Sequence, residues 1–311
     1  MTILEIKNLN LSFKSDDKEY QALHNVNLTL KKGEMLAIVG ESGCGKTITA
    51  MSILRLLAPN AKITSGEIIY NGKNLLSLSE KEMQKIRGKE IALVPQDPMT
   101  SLNPLYTIGS QLLEVIETHQ NLKGEEAEKI AIEVLEKVKI PNAKERLKAY
   151  PHEFSGGMRQ RVIIAMAIAC NSKIIIADEP TTALDVTVQA QIMNLLKEIQ
   201  KDLETSFIFI SHDFGLVYEA ADTAAVMYAG HVVENSPSYE LFKNPKHPYT
   251  QALLKTLPDF NSTKLEAIEG QPPSIKYHFD GCPFEPRCNQ KMEICAKQYP
   301  ELNGVNCWLY K

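Results

Sequence analysis

The sequence predicts an α/β fold built around a mostly parallel, open sheet. Four short apolar runs, at residues 35–39, 91–94, 174–177 and 207–210, read as strands buried on both faces, as parallel strands are. Each run leads into polar residues: a glycine loop, Gln96, Asp178 with Glu179, and Ser211 with His212. Open α/β sheets bind ligands at the carboxyl ends of their strands, so the convergence of four polar ends marks a site. A helix over residues 47–57 follows the first glycine loop directly.

The remaining segments attach to this core. Residues 3–13 and 22–30 alternate with period two (Leu4, Ile6; Val26, Leu28, Leu30), which suits antiparallel strands with one buried face, joined by a charged turn at 14–19. Between Gln96 and Ser155 the pattern turns helical, with Leu112, Leu113, Val115 and Ile116, then Ile130, Ile132, Val134, Leu135 and Val138 on recurring faces. This predicts a helical insertion. Past Tyr239 the prolines Pro245, Pro248, Pro258, Pro272, Pro273, Pro283 and Pro286 predict an appended, less regular region of short helices. With 311 residues the chain can bury one large core or two modest ones. A net charge of -4 leaves no electrostatic footprint for nucleic acid. The longest uncharged apolar run, residues 162–170, is about half of what a bilayer span needs. The first residues lack a signal-peptide design, so a cytoplasmic chain is expected.

Gly40-Glu41-Ser42-Gly43-Cys44-Gly45-Lys46-Thr47 matches the phosphate-loop pattern in the required context, with a strand before and a helix after. Spaced glycines let backbone N–H groups turn inward around phosphate, and the helix N-terminus adds positive partial charge. Lys46 is expected to reach the β- and γ-phosphates and the Thr47 hydroxyl to ligate Mg²⁺, a hard cation that prefers oxygen. Gly40, Ser42, Gly43, Cys44, Gly45, Lys46, Thr47 and Ile48 form the expected phosphate-contacting set. At the end of the 174–177 run, Asp178 is expected to hold Mg²⁺ through water, and Glu179 to polarise the attacking water as general base. Gln96 is placed to touch both metal and water, and His212 to contact the γ-phosphate and order the Glu179–water pair. Taken singly, each of these residues has an ordinary structural role: acids cap strands, and a histidine ends one.

With these residues in hand, residues 3–239 resemble the nucleotide-binding subunit of an ATP-binding cassette (ABC) transporter. The motifs fall in that family's order: phosphate loop, Gln96, Phe154-Ser155-Gly156-Gly157-Met158-Arg159-Gln160-Arg161, Asp178-Glu179, Thr182-Ala183-Leu184-Asp185, His212. The resemblance implies a RecA-like parallel core with an antiparallel β subdomain and a helical subdomain at about 97–170, together spanning 1–240, plus an extension over 241–311. It implies ATP and Mg²⁺ as cofactors and two cassettes paired head to tail. Each ATP would then lie between the phosphate loop of one cassette and Ser155, Gly156 and Gly157 of the other, with Asp185 at the seam. The family position that stacks on adenine is filled by Phe13 or by Tyr20. Phe154 and Met158 depart from the commonest signature, Leu-Ser-Gly-Gly-Gln. They resemble the dipeptide and oligopeptide importer branch, as do residues 97–104 and His247-Pro248-Tyr249-Thr250. That branch implies a related but distinct second cassette, two transmembrane permease subunits, an extracellular solute-binding protein, and a place on the cytoplasmic face of the membrane. It also includes importers of nickel and other chelates. A non-transport ABC ATPase would need a long coiled coil or a second cassette. Only fifty-eight residues separate Gln96 from Ser155, and there is one phosphate loop.

Four of the six cysteines, Cys282, Cys288, Cys295 and Cys307, crowd the end of the chain with five, six and eleven residues between them. A cytosolic chain disfavours disulfides, and zinc ribbons use tight Cys-x-x-Cys pairs. Four thiolates suit a [4Fe–4S] cluster, which the importer resemblance also implies for some members; structural zinc and four unrelated buried thiols remain open.

Overall fold

The protein is described by a computed structural model for residues 1–15, 18–182, 184–256, 268–302 and 304–311; Ala183 and Pro258 of the sequence reading lie outside these. The chain forms two compact units, one made of residues 1–31, 35–77 and 210–311 and the other of residues 32–34 and 78–209.

In the first unit an antiparallel sheet runs in the order Lys18–Lys31, Thr2–Ser15, Ala61–Tyr70, Lys73–Asn74. Its apolar face is the one the alternation marks: Leu4, Ile6, Leu9, Leu11, Leu23, Val26, Leu28 and Leu30 are all buried. Each such side chain contributes about 1.5–3 kcal/mol relative to exposure. The two long strands extend further than expected, pairing Lys14 with Glu19 and Ser15 with Lys18, so most of the charged turn is strand. Register shifts fall on either side of Leu9, where Asn8 and Asn25 adopt φ near +46° and +45°. The Asn10 side chain spans this irregularity, donating to Asn25 Oδ1 and accepting from the Asn25 amide. Gly66 passes directly over it: a Cβ there would lie 2.5 Å from the Asn8 carbonyl oxygen.

Met35–Val39, buried at every residue, pairs in parallel with Thr223–Tyr228, which pairs antiparallel with His231–Pro237. Neither of the last two strands nor Ala61–Tyr70 was evident from the sequence. Thr223–Tyr228 is rich in alanine, and Ala61–Tyr70 buries only Ile68 and Tyr70. The helix after the glycine loop is Lys46–Leu54, shorter than expected because Arg55 turns left-handed at φ 53° and ends it. Beyond Tyr239 the chain forms the helix Pro248–Lys255 and 3-10 turns at Glu285–Arg287, Glu293–Ala296 and Trp308–Tyr310. Tyr228, Tyr249 and Phe284 pack their rings together between this region and the strands.

The second unit is mostly helical. Ile91–Val94 and Ile174–Asp178 pair in parallel, and Ile108–Gln120 packs on Glu125–Lys137, which packs on Gly156–Ile168. Residues 97–104, whose Asp-Pro, Asn-Pro and serine content reads in the sequence as a turn-rich hinge, begin instead with a helical turn at Pro98–Ser101; Asp97 caps it by accepting from the Met99 amide. Among the described residues no helix is long and apolar enough to cross a membrane.

In the first unit His231 stacks on His24, ring centroids 4.4 Å apart, and also meets the Tyr299 ring at 4.2 Å. Burial, and secondarily the neighbouring His24, pushes its pKa down to about 3. The unfolded chain would protonate near 6.5, so this histidine's contribution to stability is complete above that pH and is lost progressively as pH falls toward 3. Between pH 7.5 and pH 5 the parent should therefore lose about 2 kcal/mol more stability than His231→Leu, measured by denaturant unfolding at the two pH values; equal losses would contradict the assignment.

Candidate nucleotide-binding and catalytic site

In the first unit the strand Met35–Val39 delivers the glycine loop. Gly40, Gly43 and Gly45 adopt φ of 149°, 78° and 109°, backbone that residues with a Cβ rarely take. Space enforces the same choice at two of them: a Cβ on Gly40 would sit 2.2 Å from the Met227 carbonyl oxygen, and one on Gly45 2.9 Å from a Leu23 methyl. The loop is thus clamped between the two sheets of this unit. Ser42, Gly43 and Thr47 face outward, and Ile48 is half-buried. The buried Lys46 reaches back with Nζ to donate to the carbonyls of Gly40, at 2.8 Å, and Glu41, at 3.0 Å. An ammonium held inside the ring of amides is positioned for phosphate oxygens. Cys44 is buried beneath the loop, and burial pushes its thiol pKa up, so it packs as an uncharged side chain. Phe13 and Tyr20, the two candidates for stacking on adenine, are half-buried and face each other across the first hairpin. His212 is exposed at the end of Ser206–Ser211, and Asp213 beside it caps the helix Phe214–Ala220.

In the second unit Ile174–Asp178 ends with Asp178 buried and Glu179 half-buried. Glu179 adopts φ 45°, a left-handed conformation unfavourable for glutamate, which re-aims its side chain at the strand end. Two donors hold that carboxylate at one oxygen: Gln96 Nε2 at 2.8 Å and Thr182 Oγ1 at 3.0 Å. Gln96 and Glu179 are therefore brought together as their positions suggested. Thr182 was named only as part of a motif; its hydroxyl, three residues past the acid, was a signal for this contact. These two contacts fix the carboxylate at the end of the strand.

Ser155 caps the helix Gly156–Ile168, accepting from the Met158 amide at 3.3 Å. The glycines let the first turn pack closely. A Cβ on Gly157 would meet Val188 at 2.6 Å, and this small first turn leaves amide donors and positive partial charge at the helix start. The Pro98–Ser101 turn packs on the same helix, joining the Gln96 loop to it. Asp185 caps Val186–Leu203 by accepting from the Val188 amide at 2.9 Å.

At the end of the chain Cys282, Cys288, Cys295 and Cys307 all line one cavity with His247, Phe284 and Trp308, and none forms a disulfide. The backbone ties two of them together, Cys282 N donating to Cys295 O at 2.7 Å. Burial, reinforced by the neighbouring thiols, pushes Cys282 up to about 12 and raises Cys288 and Cys307 as well. Such a set resists ionisation unless a cation enters, because metal coordination deprotonates thiols. Among the described residues no three such side chains converge closely enough for a single metal ion.

Comparison with known proteins identifies the family. Residues 23–182 match the family model described as ABC transporter, and residues 233–295 match the one described as oligopeptide/dipeptide transporter, C-terminal region. The dipeptide transport ATP-binding protein DppD of Bacillus subtilis is 48% identical over 99% of this chain and 94% of its own length. The oligopeptide transport ATP-binding protein OppD of the same organism is 51% identical over 98% and 86%, and OppD of Escherichia coli 46% over 96% and 89%. Among solved structures, the ATP-binding cassette MJ0796, dimeric in a post-hydrolysis state with ADP and Pi, covers 76% of this chain and 99% of its own at TM-score 0.68 and 31% identity.

Proposed function

Because the chain belongs to the ABC transporter family, we propose that it is the ATP-hydrolysing subunit of an importer for dipeptides or oligopeptides. One observation carries the substrate class: the cassette is followed by a region matching the C-terminal part of oligopeptide and dipeptide transporters, and relatives named for those substrates align along nearly the whole chain. The partners that follow are a second, related cassette, two transmembrane permease subunits and, through them, an extracellular solute-binding protein. The chain sits peripherally on the cytoplasmic face. Residues 1–240 form the cassette, with the helical subdomain near 97–170 facing the permeases, and residues 241–311 form the extension.

The substrate is MgATP. Gly40, Ser42, Gly43, Cys44, Gly45 and Ile48 present backbone to the phosphates, Lys46 exchanges its loop carbonyls for β- and γ-phosphate oxygens, and Phe13 or Tyr20 covers the adenine. Thr47, Asp178 and Gln96 offer the oxygen donors a hard cation prefers. Glu179, fixed by Gln96 and Thr182, accepts a proton from the attacking water, and His212 orders the γ-phosphate. Ser155, Gly156 and Gly157 serve the nucleotide of the partner cassette, and Asp185 lies at the seam. Closing on two nucleotides and reopening after hydrolysis supplies the two states that alternating access needs.

Replacing Glu179 with Gln tests the assignment of the base. The variant should bind MgATP while losing hydrolysis by a factor of about 10² or more, and peptide uptake with it; hydrolysis near the parent rate, or uptake of peptides unaffected by loss of the chain, would contradict the reading.

For the four cysteines of the extension we propose an iron–sulfur cluster rather than zinc, because four thiolates suit such a cluster and the tight Cys-x-x-Cys pairs of zinc ribbons are not present among them. A single tetrahedral ion draws its four sulfurs to about 2.3 Å from one centre, whereas each thiolate of a [4Fe–4S] cluster binds a different iron, so the sulfurs stand farther apart. What supports a shared group is that all four thiols line one cavity. Cys282, Cys288, Cys295 and Cys307 would be its ligands, in a structural role. Anaerobically purified protein should be brown, absorbing near roughly 400 nm; colourless protein with stoichiometric zinc would reverse the choice.

A further inference from the structure

Glu41 places a carboxylate in the loop that must wrap a polyanion, and a residue more than two hundred positions away neutralises it. Arg287, from the 3-10 turn Glu285–Arg287 of the extension, meets Glu41 as a two-pronged fork: Nη1 to Oε2 at 2.8 Å and Nη2 to Oε1 at 3.2 Å. The Arg287 side chain is only 6% exposed, so the pair is shielded from solvent screening. Its other donors are committed too, Nη1 to Tyr228 Oη at 3.2 Å and Nε to the Glu269 carbonyl at 2.9 Å, and the guanidinium lies near the Tyr228 and Phe284 rings. The Glu41 backbone is held from the same region, its amide donating to Tyr249 Oη at 3.0 Å.

We infer that Arg287 is a positioning residue for the phosphate loop: by neutralising and orienting Glu41, it makes nucleotide affinity depend on the docked C-terminal extension. Two effects act together. The fork fixes the second residue of the loop, whose carbonyl also accepts from Lys46. It also cancels a negative charge that would otherwise repel the incoming phosphates, and that repulsion grows with the charge of the nucleotide. The extension, with its four cysteines, is in this way wired to the nucleotide site, and by linkage the bound nucleotide must stabilise the docked extension in turn.

The inference rests on nucleotide binding at the loop and not on peptide transport. The test is a mutant cycle on the full chain, read as the Kd for ATP and ADP by calorimetry and the KM for ATP. Arg287→Gln, which keeps a polar side chain of similar reach, should weaken ATP binding about tenfold or more, affect ADP less, and raise KM while sparing kcat at saturation. Adding Glu41→Gln should restore most of the affinity, since no charge then remains to be neutralised. ATP binding by Arg287→Gln within twofold of the parent would overturn the inference. So would a double variant as weak as the single one, which would reduce Arg287 to a prop for the fold. A parent that fails to bind ATP would instead reject the nucleotide site itself.

Discussion

The chain reversal at the end of Met35–Val39 is the constraint on which the first unit depends. A strand buried on both faces must turn into a helix around a space kept for phosphate, and no Cβ can be accommodated at the crossing under the Met227 carbonyl. Glycine at Gly40 and Gly45 satisfies that geometry, at the entropic cost glycine always carries. The surrounding structure offsets this cost. Tyr249 and Arg287 hold Glu41, Gly230 donates its amide to the Cys44 carbonyl, and Lys46 closes the ring from within. A loop so braced meets its ligand already formed, which is how backbone amides can compete with water for a polyanion.

Glu179, the proposed general base, follows the same logic of local strain held by neighbours. Glu179 accepts an unfavourable left-handed φ because the amide of Gln96 and the hydroxyl of Thr182 fix its carboxylate. The Gln96 loop also packs through the Pro98–Ser101 turn on the helix that Ser155 caps. Movement at that turn, the surface proposed to face the permeases, is therefore mechanically continuous with the donor to the proposed general base and with the helix proposed to serve a partner's nucleotide. That continuity is what a transport ATPase requires of this unit.

How far the sequence could be read depended on the kind of signal. The doubly buried strands announce themselves because nothing interrupts their apolar runs, and Ile91–Val94 stands where the pattern put it. The glycine loop is equally plain, since backbone geometry restricts which residues can occupy it. Thr223–Tyr228 escaped notice because small alanines bury fully without a strong hydrophobic signature, and Ala61–Tyr70 because it is largely exposed. The 97–104 segment misled through its prolines and asparagine, although Asp97 before Pro98 is a helix-start signal as well as a turn signal. The pairing of Arg287 with Glu41 had no local signal at all. It is a tertiary contact across 246 positions, visible only when both ends are in place.

The central claim is that this chain binds MgATP through the loop that closes on Lys46. Calorimetric titration of MgATP into the purified parent and into Lys46→Ala tests it most directly. The account predicts saturable binding to the parent with loss of most of that affinity in the variant, both proteins remaining folded by circular dichroism. Equal binding by the two would contradict it.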